Sequence, residues 1–410
     1  MSVATNPGAS GEIAGPDDAR ARRNAIILSV SQALYGINAI TVFALASILG
    51  NQFADDKSLA TLPVTTMVLG AAIATAPGAL GMHRFGRRSG FLFGAILGLI
   101  GMVLIIHATY VQSFFWLCVG SGLNGVYMAF GQHYRFAAAD TASEDYKPKV
   151  ISWVLFGGIA GAILGPQLIL STQNALAPVF YAGAFAACAV ITVAAVILLL
   201  FLDIPRPRSA PFGPGSGRPL REILHQRPLC AAIAAGMVSY GMMNLVMTAA
   251  PLAMVVFCGH TVDDATGVIR WHVLAMYAPS FFTGHLIAQF GRDRVIIAGL
   301  ALLVACATTA LFGITVAHFT AGLILLGFGW NLAFIGATTK VTDFHTPQER
   351  GKVQAFNDFM VFGFVAFASF MSGKLLFATG WDGVNLTIFP FVALTVFLVL
   401  VLSRAGPAKA

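Results

Sequence analysis

Apolar stretches of about twenty residues, the length that carries a helix across a bilayer core of ~30 Å, recur along almost the whole chain. In lipid the backbone N–H and C=O groups have no water to bond, so only helices or a closed barrel can span. Barrel strands would alternate polar and apolar residues with period two, and these stretches do not. The chain therefore reads as an all-α membrane protein. Its composition agrees, with 57% of 410 residues hydrophobic, 10% charged and a mean hydropathy of +0.80. Soluble domains carry about a quarter charged residues.

Polar breaks divide the chain into twelve transmembrane helices, at 24–50, 61–81, 90–110, 112–138, 150–170, 177–202, 228–256, 267–289, 295–313, 317–339, 352–374 and 383–403. Residues 1–23 are expected to be a disordered cytoplasmic leader with no cleavage pattern, and 404–410 a cytoplasmic tail. Short loops rich in Lys and Arg stay on the cytoplasmic side. With both termini inside, all 24 basic residues except Lys57, Arg270 and Lys374 fall there. A multi-pass protein of the cell inner membrane is expected, in contact with the lipid bilayer and monomeric. The net charge of +7 follows from this asymmetry and leaves no basic cluster for a nucleic acid. Cys118, Cys188, Cys230, Cys258 and Cys306 show no CxxC spacing and read as packing residues.

Two short stretches, "HRFGRRSG" at 83–90 and "AQFGRDRV" at 288–295, break apolar runs in the same way about 205 positions apart. Tyr35-Gly36 matches Tyr240-Gly241, Gly122-x-Asn124 matches Gly329-x-Asn331, and Lys149-Val150 matches Lys352-Val353, all near that offset. Such concerted repetition implies a duplicated unit: two pseudo-symmetric six-helix bundles, 24–202 and 228–403. The Pro, Gly and Arg-rich stretch 203–227 reads as the cytoplasmic linker between them. In each bundle glycine permits the tight reversal after the second helix, and the arginines are expected to hold it at the cytoplasmic face beside helix C-terminal carbonyls.

Twelve helices in two repeats, with this turn in both, resemble the major facilitator superfamily over the whole chain after the leader. The turn signature there is Gly-x-Leu-x-Asp-Arg-x-Gly-Arg-Arg. Gly284, Leu286, Gly291 and Arg292 fit it in the second half; Arg84, Gly86, Arg87 and Arg88 fit it in the first. His83 and Ala288 occupy the acidic slot, which puts the usual charge relay in doubt. In helix 5, Gly161, Gly165 and Pro166 resemble the antiporter motif, but Ile169 and Leu170 replace its final glycine pair, and close packing explains the spacing equally. Ser121 stands where the family's proton-coupling arginine belongs.

The resemblance implies a central cavity lined by helices 1, 4, 7 and 10, and polar residues within the spans fall on those helices. Gln32, Tyr35 and Asn38 share a broad face of helix 1; Tyr240 and Asn244 are one turn apart in helix 7. On a continuous helix 4, Asn124 and Arg135 would lie within about 20° of each other, with Tyr127 between. Helix 10 adds Trp330 and Asn331. Polar groups in lipid cost free energy unless they face a cavity or a partner, so these are the candidate substrate-binding residues. Asp358 is the clearest acid within a span. Tyrosines, amides and a tryptophan suit a small neutral or weakly charged aromatic solute of the flavin or vitamin type, with riboflavin uptake an instance.

No Walker loop, nucleophile constellation or metal-ligand spacing is present, so neither an enzyme nor a bound cofactor is expected. His107, His272, His285 and His318 read as packing residues, and His133, near Arg135, is the candidate site for a coupling proton. The expected function is secondary transport by alternating access. Multidrug or metabolite efflux by proton antiport, and a non-transporting membrane sensor or assembly factor, are the rivals. The turn residues Arg84, Gly86, Arg87, Gly291 and Arg292 are expected to take part in gating. Arg135 and Asp358, directly or through Asn357 or Gln132, are expected to form an inner gate when the carrier opens outward, with Asp343 and Glu349 as competing acids.

Overall fold

A computed structural model describes residues 17–143, 145–205, 217–346 and 348–402. Most of the expected leader, the middle of the linker and the tail lie outside the described residues. The elements are α1 (Asp18–Phe53), α2 (Leu62–Phe85), α3 (Arg87–Val111), α4 (Phe114–Gly131), α5 (Tyr134–Ala139), α6 (Lys147–Thr172), α7 (Ala182–Leu200), α8 (Leu220–Leu224), α9 (Arg227–Leu252), α10 (Val262–Tyr277), α11 (Ser280–Phe290), α12 (Arg292–Phe312), α13 (Val316–Val341), α14 (Arg350–Leu386) and α15 (Ile388–Leu402).

Among the described residues ten helical runs are long and apolar enough to cross a membrane, not the twelve expected. The eighth expected crossing divides into α10 and α11, because a proline at 279 removes a backbone donor and crowds the preceding turn. The last two run together from Arg350 to Leu402, broken inside α14 at Gly380, whose φ of 72° leaves helical geometry. Helix 4 is also interrupted, between α4 and α5. The first helix begins inside the stretch 1–23 expected as the leader. α1 already starts at Asp18, where the Asp17 carboxylate accepts from the Arg20 amide and caps it.

The duplication is visible in packing. α1 packs on α6, α3 on α4, and α3 and α1 on α7; correspondingly α9 packs on α14, α12 on α13, and α12 and α9 on α15. Gly86 and Gly291 adopt matching conformations, φ 93°, ψ 156° and φ 83°, ψ 157°. Only glycine takes that geometry without clash, which explains why it recurs in both turns. The face bearing these turns is called here the basic face, and the opposite one the far face.

The two halves meet along a seam formed by α1 on α9, α2 on α14 and α6 on α10. At the far face it is stitched by polar contacts. Thr61 Oγ1 donates to Ser369 O at 3.3 Å and accepts from the Gly373 amide at 3.1 Å. Thr65 donates to Ser369 Oγ at 3.2 Å, and Gln173 Nε2 to Asp263 Oδ1 at 3.2 Å. Nearer mid-depth Val68 packs with Val361, Val365 and Ala366.

Candidate functional site

The Tyr-Gly pairs sit where α1 and α9 approach. A Cβ on Gly36 would lie 3.4 Å from Gly161 Cα in α6, and one on Gly241 would lie 2.4 Å from the Phe364 ring in α14. Each glycine thus closes an intra-half helix contact, and the preceding tyrosine is left for the seam. Tyr35 is within electrostatic reach of Tyr240 and Tyr277, both from the other half.

On the first-half side the Tyr35 ring meets Tyr127 edge-on at 5.5 Å, and Gln132 approaches the Tyr35 hydroxyl. On the other side Tyr240 lies among Trp330 at 5.3 Å, Phe334 at 5.0 Å and Phe362 at 5.8 Å. Trp330 and Phe334, one turn apart on α13, stack at 5.4 Å. Such ring pairs contribute ~0.5–1.5 kcal/mol beyond their area burial and hold the wall rigid. The Trp330 Nε1 donor is buried there without a partner.

The amides of Asn38, Asn124 and Asn331 bond within their own half. Asn38 Nδ2 donates to Thr192 Oγ1 in α7 at 2.6 Å. Asn124 Nδ2 donates back to Gly120 O at 3.0 Å and abuts Gly101 of α3. Asn331 ties the α10–α11 break: Nδ2 donates to Met276 O and Ser280 Oγ, each at 2.7 Å, and Oδ1 accepts from Thr283 at 2.6 Å. In this conformation all three are buried and each amide nitrogen donates within its own half, while Asn38 Oδ1 and Asn124 Oδ1 have no partner among the described residues. Asn244 is buried with its Nδ2 unpartnered, and half-exposed Gln32 lies along Gly158 of α6. α4 ends at Gly131 and α5 starts at Tyr134, so Asn124 and Arg135 do not stand on one continuous helix as expected.

Arg135 is exposed, its guanidinium 4.8 Å from the centre of the Phe136 ring. Asp358 accepts from Asn357 Nδ2 at 3.1 Å and makes no ion pair with Arg135. The competing acids are engaged: Asp343 with Arg292 at 2.6 Å, and Glu349 with Arg218 at 3.0 Å. Arg87 likewise pairs with Asp140 at 3.0 Å. The turn arginines Arg87 and Arg292 therefore meet carboxylates rather than the expected helix-end carbonyls. Arg84 lies over the Phe85 ring at 5.4 Å. In helix 5 the glycine spacing is used for packing: a Cβ at Gly157 would lie 2.1 Å from Ser29 O of α1, and one at Gly161 would lie 2.8 Å from Ala33 O.

Sequence reading passed over Phe334, Phe362, Tyr277 and Asp140, and it named Asp343 only as a rival partner for Arg135, not as the partner of Arg292. The acids had a usable signal, since each stands nine positions before the matched Lys149 and Lys352. Phe334 also had one, lying one turn after Trp330.

The profile of the Major Facilitator Superfamily matches residues 28–269 and 233–410. The chain belongs to that superfamily. It is 45% identical over 394 residues to the riboflavin transporter RfnT of Brucella anthropi, covering 96% of this chain and 99% of that protein. It is 26% identical over 357 residues to the uncharacterized MFS-type transporter YddS of Bacillus subtilis, covering 82% of this chain and 80% of that one. Among solved structures, the nucleoside transporter NupG superposes with a TM-score of 0.70 at 14% identity, covering 94% of this chain and all of that one (100%). An auto-inhibited peptide transporter of the POT family gives 0.70 at 12% identity, over 94% of this chain and 98% of the other. These two likenesses speak to fold alone. The chain is a multi-pass membrane transporter of the superfamily.

Proposed function

We propose that this carrier takes riboflavin, a small planar and weakly ionised solute, across the inner membrane by alternating access. The basic face and both termini lie in the cytoplasm, and 24–202 and 228–403 rock as two bundles about the linker 203–227. The observation that carries the reading is the aromatic site at the seam, Tyr35 opposite Tyr240 with Trp330, Phe334 and Phe362 behind it, in a chain 45% identical to a riboflavin transporter. Stacking walls with few charges fit a tricyclic ring system better than a strongly charged solute. The helix 5 glycines, which motivated the efflux reading, are occupied in packing on α1.

The far-face stitching, together with the separation of Arg135 from Asp358, supports assigning this conformation as open toward the cytoplasm. In the opposite state the inner ends close, and the proposed gate pairs Arg135 with Asp358. Expression of the chain in a riboflavin auxotroph tests the substrate: growth at limiting riboflavin and saturable uptake of the labelled vitamin are expected. Uptake no faster than in empty-vector cells, with the protein present in the membrane, overturns the assignment.

A further inference from the structure

The two walls of the seam differ in chemistry. The second half supplies rings: Tyr240, Trp330, Phe334 and Phe362. The first half supplies hydrogen-bonding groups. Gln132, exposed, approaches the Tyr35 hydroxyl, and Arg135 lies just beyond it, exposed and with no carboxylate partner among the described residues. Gln132 follows the last residue of α4 and Arg135 is the second residue of α5, so the interruption of helix 4 is what presents both. Across the seam Arg135 is within electrostatic reach of Tyr277, the last residue of α10 before the second interruption. At both interruptions the backbone keeps helical φ and ψ, at Gln132 and His133 and at Ala278 and Pro279, so each is a kink that redirects the side chains at the seam.

We propose, resting on the riboflavin reading above, that Arg135 and Gln132 set specificity by reading the dioxopyrimidine edge of the flavin, with its dimethylbenzene edge turned to the ring wall. The dioxopyrimidine edge presents two carbonyl acceptors flanking one N–H donor. A guanidinium donates through a rigid fork, and the Gln132 amide accepts through its oxygen while donating through its nitrogen. The dimethylbenzene edge makes no hydrogen bonds and gains by leaving water for aromatic contact. Arg135, exposed and without a carboxylate partner among the described residues, keeps its donors available to an arriving acceptor.

The test measures uptake of riboflavin and of its N3-methyl derivative, which lacks the donor and crowds that edge. The chains are wild type, Arg135→Lys, Gln132→Leu and Asp358→Asn, with membrane amounts matched. Wild type should prefer riboflavin by about tenfold in kcat/KM, the scale of one lost hydrogen bond to a charged or buried group. Arg135→Lys keeps the charge that a gate needs but loses the fork, so the preference should collapse through a raised KM for riboflavin; Gln132→Leu should do the same. Asp358→Asn should slow both flavins and leave the preference intact. A wild type without preference, or Arg135→Lys and Gln132→Leu variants that retain it, overturns the assignment while riboflavin uptake stands. A wild type that takes up neither flavin fails the carrier reading itself, and the assignment falls with it.

Discussion

The two ends of the seam are built from different materials. At the far end small residues carry the contact: Thr61, Thr65, Ser369 and Gly373 bring α2 and α14 together through hydroxyls and a backbone amide. At the basic end the candidate partners are charged and stand apart, Arg135 over Phe136 and Asp358 bonded to Asn357. Hydroxyl contacts contribute only ~0.5–1.5 kcal/mol each, so the far closure can be made and broken in each cycle. A charge pair instead gives direction. It is worth much once water is expelled and little while the cavity is wet, and it therefore favours full closure over partial closure. Short reach makes the far end sensitive to volume, and long reach makes the basic end sensitive to charge.

The largest effect should come from adding volume at the far end. A Cβ at Gly373 would lie 2.5 Å from Thr61 Oγ1 and 2.8 Å from Ser58 O. Backbone and a short hydroxyl cannot retreat, and overpacking costs ~1–3 kcal/mol, so Gly373→Leu should lower uptake by about tenfold or more. Cysteines placed near Thr61 should then label readily from the far face, where the native chain protects them. Normal uptake with unchanged labelling would show that the α2–α14 contact does not take part in the cycle.

The sequence revealed the repeat, the turns and the ring residues because each leaves a local mark: a glycine that must adopt positive φ, a Tyr-Gly pair, a Trp among apolar neighbours. It did not show what the asparagines bond. Asn331 looks like a cavity residue by helix position, but its partners are 48 to 55 positions away at a break that Pro279 imposes. Continuous hydropathy across 267–289 and 352–403 conceals where helices break or merge, so the crossing count was the least legible part of the fold. The far-face stitching was not legible at all. Thr61 and Ser369 are ordinary residues in sequence, joined across more than three hundred positions only by tertiary packing.

An intermediate effect is expected at the basic end, where charge decides. If Arg135 and Asp358 pair on inner closure, Arg135→Gln and Asp358→Asn should each slow uptake about three- to tenfold, and together no more than either alone. Exchanging the charges, Arg135→Asp with Asp358→Arg, should recover part of the loss in turnover, though not the flavin preference. Asp343 and Glu349 are poor substitutes as partners, since Arg292 and Arg218 already hold them. Independent effects in the double variant, with no recovery on exchange, would leave the basic end without an electrostatic latch and erase the contrast between the two ends.

The smallest effect on transport should come from Glu349, which lies at the basic end but not in the seam. Its side chain is only 2% exposed, yet it accepts from Arg218 N at 2.9 Å, Arg218 Nε at 3.0 Å, Arg218 Nη2 at 3.0 Å and the Thr346 amide at 3.0 Å. Arg218 and these amides hold the carboxyl well below the usual carboxylate range. The sign follows. A depressed folded pKa contributes stability that is fully present above the unfolded value and is lost only as pH falls through the folded one. The clasp therefore stays ionised across about pH 5 to 8. It fastens the linker to the start of α14 within one half, so breaking it moves neither half against the other. Glu349→Gln should lower the melting temperature by roughly a few degrees and change uptake less than about twofold, with the same pH profile between pH 5 and 8 as the native chain. A shift in that profile, or new labelling at the far face, would mean that the linker clasp feels the opening of the seam and that the basic end holds a second charged latch beside Arg135 and Asp358.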